Sequence, residues 1–209
     1  DYVFKITELF KNLAKKRNIQ LHFNSHLKQK SFLIDADKLE KIIVNLIANA
    51  FKYTPEMGRI GVEISKINTN ENEALKDYEN YVAIKIIDTG KGMSKEVLEH
   101  IFERYYFEES VDKNQKNSGI GLSYVKDLVE TCQGVIQVKS EVDLGSTFTV
   151  FIPIIEKTES TVNTTLPQLD YTYAQQEIEA VISKINKPEK ITTFNSKLPK
   201  ILVVEDNLD

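Results

Sequence analysis

The sequence has little with which to staple, anchor or charge itself. It carries a single cysteine, Cys132, in 209 residues, which excludes an internal disulfide framework. Cys132 falls on the apolar stripe of a predicted helix and reads as a small core residue rather than a nucleophile. No apolar run approaches the roughly 20 residues needed to span a bilayer, and no secretory leader is visible. Basic residues are in slight deficit, 27 against 31 acidic ones. The net charge of −4 excludes the broad basic footprint of a nucleic-acid binder. Histidine is scarce, with only His22, His26 and His100. These absences predict a cytoplasmic polypeptide without membrane contact of its own. The first residue is not Met and the last ones stop inside a strand-like pattern. The chain therefore reads as a fragment of a longer protein, whose remainder is expected to be anchored in the inner membrane.

What is present is ordinary for a globular chain, 41% hydrophobic and 28% charged. Residues 3–17 carry a helical stripe, Val3, Ile6, Phe10, Leu13 and Ala14. Ile19, Leu21 and Phe23 alternate as a short strand. Asp37 is the expected cap of a second helix reaching about residue 53, with Leu39, Ile42, Ile43, Leu46, Ile47 and Ala50 inward. Ile60, Val62 and Ile64 alternate next, followed by a charged, Asn-rich stretch at 66–80 that reads as a surface hairpin tip. Val82, Ile84 and Ile86 form a strand ending at Asp88, and Ser94 caps a short helix to about residue 101. Residues 108–118 have no period and read as a mobile loop. A helix from about Gly119 to Cys132 and strands near 134–140 and 146–153 complete the unit. The pattern predicts an α+β two-layer sandwich: a mixed, mostly antiparallel sheet covered on one face by helices. Residues 156–170 have linker composition, and 174–186 carry a helical stripe of Ile178, Val181, Ile182 and Ile185.

The chemistry concentrates on the second helix. Asn45, Asn49 and Lys52 fall within a ~60° arc of it, beside the apolar stripe. Asn is a poor choice for a helix interior. Neutral amide oxygens suit a hard cation already shared with phosphates, and a lysine one turn on suits a phosphate charge. By itself such an arc is also compatible with a solvated polar face. Three glycine-bearing segments follow. Asp88-Thr89-Gly90-Lys91-Gly92-Met93 leaves a strand. An aspartate there can accept a hydrogen bond from an amino group, and glycines let backbone approach a flat ligand. Ser118-Gly119-Ile120-Gly121-Leu122 opens a helix whose free N–H groups suit phosphate. Leu144-Gly145-Ser146-Thr147-Phe148 turns into a strand. None of the three matches a dinucleotide fingerprint or a P-loop.

Taken in order, the Asn–Asn–Lys helix, the Asp-x-Gly-x-Gly loop, Ile101-Phe102-Glu103-Arg104, Gly-Ile-Gly-Leu and Gly-Ser-Thr-Phe resemble the N, G1, F, G2 and G3 boxes of sensor histidine kinase catalytic domains, within the GHKL ATP-binding family. The resemblance covers about residues 1–155 and implies ATP and Mg²⁺ as ligands. It implies that Asn49 coordinates Mg²⁺, that Asn45 assists in the metal and phosphate shell, and that Lys52 meets phosphate. Tyr53 would border the nucleotide, Asp88 would read the adenine amino group, and Gly90 and Gly92 would border the ring. Gly119, Gly121 and Leu122 would pack near the phosphates, Thr147 at the adenine side, and Phe102 and Tyr105 at the base of a lid. The lid arginine of many relatives is replaced here by the run Tyr105-Tyr106-Phe107, leaving Arg104 as its substitute. Asn45, Lys52 and Arg104 are thus the catalytic candidates. Family members that hydrolyse ATP carry glutamate at the place of Asn45. An amide cannot act as a base, so transfer to a supplied nucleophile is expected instead.

None of the three histidines stands in the phosphoacceptor context of this family, so the nucleophile is expected on a separate dimerisation and histidine phosphotransfer domain. Residues 200–207, Lys-Ile-Leu-Val-Val-Glu-Asp-Asn, resemble the first strand of a receiver domain, with Glu205 and Asp206 in its acidic cluster. The expected organisation is a catalytic domain at 1–155, a linker with a short helix at 156–197 and a receiver strand at 198–209. That order resembles hybrid two-component kinases of Bacteroidetes. A nucleotide-sensing module that binds ATP without transferring phosphate is the alternative, on the strength of the missing arginine.

Overall fold

The structure, a computed structural model, describes residues 2–27, 32, 34–68, 75, 78–106, 120–154 and 171–185. Its first helical segment is two helices, α1 (Tyr2–Leu9) and α2 (Lys11–Lys16), where one was expected. The break is at Phe10, whose N–H donates to the Thr7 carbonyl at 3.1 Å in a tight turn. The Thr7 hydroxyl donates back to the Val3 carbonyl at 2.9 Å, a contact that bends helices. The turn drops Phe10 into the core, its ring stacked on Phe51 with centroids 5.6 Å apart.

After β1 (Gln20–Ser25) comes α3 (Ala36–Tyr53), the central helix. Its cap is Asp35, not Asp37. Asp35 has extended backbone and its side chain accepts from the Lys38 N–H at 3.1 Å. Asp37 is already helical and pairs with Lys41 at 2.8 Å. The expected stripe from Leu39 to Ala50 is buried throughout. At the far end the Arg17 guanidinium donates to the carbonyls of Phe51 (3.3 Å) and Thr54 (3.1 Å). These are carbonyls that the end of a helix leaves without a partner.

The remaining strands are β2 (Arg59–Asn68), β3 (Asn80–Asp88), β4 (Val135–Glu141) and β5 (Gly145–Pro153). The sheet order is β1-β2-β3-β5-β4, with β1 parallel to β2 and every other pair antiparallel. Ile60, Val62, Ile64, Val82, Ile84, Ile86, Phe148, Val150 and Ile152 alternate onto the face covered by helices. This is the α+β sandwich expected from the pattern. The opposite face carries its own small cluster of Leu75, Tyr81, Ala83 and Phe151. Of the stretch at 66–80, the described residues are 66–68, 75 and 78–80. β2 and β3 extend into them, and Leu75 is 1% exposed because Tyr81 and Phe151 offer it an apolar seat.

Three helices complete the layer. α4 (Lys95–His100) has Ser94 as its cap. α5 (Gly121–Thr131) packs on α3, and Cys132 sits at its C-terminal cap, half-buried at the core's edge, with burial pushing its thiol pKa up. α6 (Tyr171–Ile185) also packs on α3. The expected mobile loop at 108–118, the linker at 156–170 and the receiver strand lie outside the described residues. Among the described residues no helix is long and apolar enough to cross a membrane.

Candidate functional site

One edge of α3 carries the polar residues that its apolar stripe does not need. Asn45 is buried, whereas Asn49, Lys52 and Tyr53 are half-buried. The Asn45 side-chain Nδ2 donates to the Lys41 carbonyl at 2.8 Å and to the Tyr173 hydroxyl of α6. Its Oδ1 lies 3.4 Å from where a Cβ on Gly121 would stand, so the start of α5 abuts Asn45. The Tyr53 ring is flanked by two ammonium groups, Lys52 Nζ at 4.6 Å and Lys91 Nζ at 5.5 Å from its centroid. That places two positive charges beside an aromatic face at the end of α3.

The loop after β3 is fastened to this edge. The Lys91 N–H donates to the Tyr53 carbonyl at 3.3 Å, and a Cβ at Gly90 would stand 2.7 Å from the same oxygen. Asp88 closes β3 and is 6% exposed. Its carboxylate accepts from the Gly90 N–H at 2.8 Å. Burial raises its pKa above the ordinary carboxylate value, and the N–H groups of Gly90 and Ser146 pull it partly back. A buried carboxylate with a remaining acceptor direction is suited to an amino-bearing ligand.

Gly92, expected to border a ligand, and Gly145 of the β4–β5 turn both let the chain approach itself closely. Gly92 has φ +64°, and a Cβ on it would stand 1.8 Å from the Glu141 carbonyl oxygen. Gly145 has φ +103°, and a Cβ there would stand 2.0 Å from the Asp88 carbonyl oxygen. With the Asp143 N–H donating to the Lys91 carbonyl at 2.8 Å, the loop after β3 and the β4–β5 turn brace each other.

Not every candidate converges. Thr147 shares a sheet face with Phe151, opposite the face of Phe148 that meets the helices. The residue beside Asp88 is Ser146, its register partner. Sequence reading passed over Ser146, although strand alternation from Phe148 points to it. Arg104 is exposed and ion-paired to Asp127 on α5 at 2.8 Å. The structure ties it to the far side of α5 rather than to α3. Tyr105 has φ +65° and is 68% exposed. Leu122 packs against the core, and Gly119 lies outside the described residues. Tyr173 was also missed, since nothing local announces a contact 128 residues away.

Among the described residues no three His, Cys, Asp or Glu side chains form a metal-binding group. The donors present are amides beside lysines. They fit a divalent cation that arrives with a phosphate chain supplying most of its ligands.

Residues 34–156, more than half of the chain, match the family of histidine kinase-, DNA gyrase B- and HSP90-like ATPases, and the chain belongs to it. It contains a histidine kinase-type catalytic domain of that family. The sensor histidine kinase TmoS of Ectopseudomonas mendocina is 30% identical over 98% of this chain and 20% of its own length. The autoinducer 2 sensor kinase/phosphatase LuxQ of Vibrio vulnificus is 31% identical over 99% of this chain and 21% of its own. The chain thus spans about a fifth of these relatives. Among solved structures, full-length ShkA in complex with AMPPNP has a TM-score of 0.62 at 23% identity, covering 75% of this chain and 30% of that one. The catalytic domain of the histidine kinase ThkA has a TM-score of 0.60 at 22% identity, covering 73% and 90%. Both share the fold.

Proposed function

We propose that this chain binds Mg·ATP along α3 and passes the γ-phosphoryl group to a histidine of a separate dimerisation and phosphotransfer domain, as a protein-histidine kinase in two-component signalling. The observation that carries this reading is the amide at Asn45. Its nitrogen donates to the Lys41 carbonyl, so the side chain offers no proton acceptor of carboxylate strength for water. ATP-hydrolysing members of the family place a glutamate there. The chain's own contribution is then to hold and orient the nucleotide.

In this reading Asp88, with Ser146 beside it, receives the adenine amino group, and Tyr53 borders the base between its two lysines. Lys52 and the start of α5 face the phosphates. Asn49 holds the metal, with Asn45 beside it. The metal, when bound, neutralises charge on the transferring phosphoryl group.

Asn49→Ala should abolish Mg·ATP binding, and an unchanged calorimetric affinity would refute the metal assignment. Labelled ATP given to this chain alone should leave no label on it. Adding a purified phosphoacceptor helix pair should move label to its histidine. Binding without any label transfer would favour the nucleotide-sensing alternative, for which the Arg104–Asp127 pair is the specific support. Rapid phosphate release without an acceptor would return the chain to the ATPases.

The tail extends the proposal to a hybrid kinase of the Bacteroidetes kind, cytoplasmic, with an inner-membrane anchor in the parent and a receiver domain after residue 198. Support comes from the acidic run at Glu205 and Asp206, and from matches to TmoS and LuxQ that run nearly the full chain.

A further inference from the structure

α6 begins beyond residue 156, where the family match ends, so it is an addition to the shared domain. It docks by a single stripe, with Ala174 and Val181 buried and Ile178 and Ile182 packed against the same core. Its first turn brings Tyr173 onto Asn45.

Asn45 and Asn49 lie on one edge of α3, yet Asn45 is 7% exposed while Asn49 stays half-open. The Lys41 carbonyl can only accept, which fixes the nearer amide atom as nitrogen. Tyr173 takes the second hydrogen of that nitrogen, and the amide oxygen is turned to Gly121. With α6 docked, both amide hydrogens of Asn45 are spent inside the protein and the side chain is buried beneath Tyr173. α6 also brings a carboxylate to this edge. Glu177, one turn beyond Tyr173, adds to burial in pushing the Tyr173 hydroxyl up to about 12. A phenol and a carboxylate-bearing turn thus stand beside Asn45, on the edge of α3 where the proposed site would hold the phosphates.

We propose that α6 is an intramolecular cap: docked on α3 it occupies Asn45, and docking competes with Mg·ATP. The inference rests on the reading of Asn45 and Asn49 as the phosphate and metal end of the site. By linkage, whatever factor α6 removes from nucleotide affinity, bound nucleotide removes from α6 docking.

The test titrates a non-hydrolysable ATP analogue with Mg²⁺ calorimetrically into the full chain and two variants. Tyr173→Phe removes only the hydroxyl. It should tighten binding by roughly 2- to 10-fold, the span of one neutral hydrogen bond. Val181→Asn unseats the apolar stripe and should tighten binding at least as much. In the unaltered chain, saturating nucleotide should speed amide hydrogen exchange across residues 171–185. Unchanged or weaker affinity in both variants, or an α6 equally protected with and without nucleotide, would overturn the cap. Asn49→Ala, run alongside, separates the two readings. If it binds normally, the site assignment fails and the cap with it. If it abolishes binding while both α6 variants behave as the unaltered chain, only the cap fails.

Discussion

Asp88 is the residue where recognition and stability pull apart. Its carboxyl is buried, and burial raises its pKa above 3.8 in the folded protein. The folded state therefore holds that proton more tightly than the unfolded chain does. The resulting stabilisation is present below the ordinary value and is lost as pH rises through the raised one. At neutral pH the buried charge is a cost, which the proposed contact with the adenine amino group would offset. Asp88→Asn keeps an oxygen for the Gly90 N–H, removes the titration and turns an amino group toward the purine. Urea unfolding at neutral pH should show equal or higher stability. ATP affinity should fall about 10- to 100-fold, the equivalent of a charge-assisted hydrogen bond of roughly 1.5–3 kcal/mol. Unaltered ATP affinity would mean that Asp88 does not read the base. The neighbouring serine makes the same point in reverse. Ser146 is buried beside this carboxylate, while Thr147 faces the other side of the sheet, so a one-residue step moves a hydroxyl across the sheet.

At the scale of elements, α3 carries the proposed site and depends on how its ends are tied. Asp35 closes its start, and Arg17, from the turn after α2, closes its end through two carbonyls. Lys52 and Tyr53 sit in the last turn, so slack there loosens the site directly. Arg17→Ala should cost about 1.5–3 kcal/mol in urea unfolding. Arg17→Lys should recover less than half, since a point charge cannot span both oxygens as a planar fork does. Full recovery by lysine would reduce the contact to simple charge at a helix end. The elements themselves were legible because their periods are strong. The α3 stripe and the alternation in β2 each reflect one buried face, and β3 and β5 keep the same alternation although Tyr81, Ala83 and Phe151 are buried on the other side of the sheet. What stayed illegible depended on tertiary partners. The break at Phe10 exists because Phe51 is there to stack on, and Leu75 is buried because Tyr81 and Phe151 form a seat for it. The pairing of Arg104, the expected substitute for the lid arginine, with Asp127, 23 residues on, is another contact that nothing local announces. The shift of cap from Asp37 to Asp35 is a choice between two plausible oxygens, decided by which residue keeps extended backbone.

At the scale of the molecule, the site and the fold are nearly one object. Asn49 belongs to the helical layer and Ser146 to the sheet, and the loop after β3 is locked to both α3 and the β4–β5 turn. A ligand that bridges these parts binds only the folded chain, and at about 100 times its Kd it adds roughly 2.7 kcal/mol. For a chain of this size that raises Tm by roughly 5–10 °C. The sheet supplies a control, because its two faces bury separate clusters. Leu75→Ala opens the cluster on the face away from α3 and should cost about 2–5 kcal/mol. It should nonetheless keep the stabilisation by Mg·ATP in full. Asn49→Ala should do the converse, melting as the unaltered chain does without nucleotide and gaining nothing when it is added. Differential scanning calorimetry with and without Mg·ATP reads both. If Leu75→Ala lost the nucleotide shift while remaining folded, the far face would be coupled to the site through the sheet, and binding would not be confined to the α3 side.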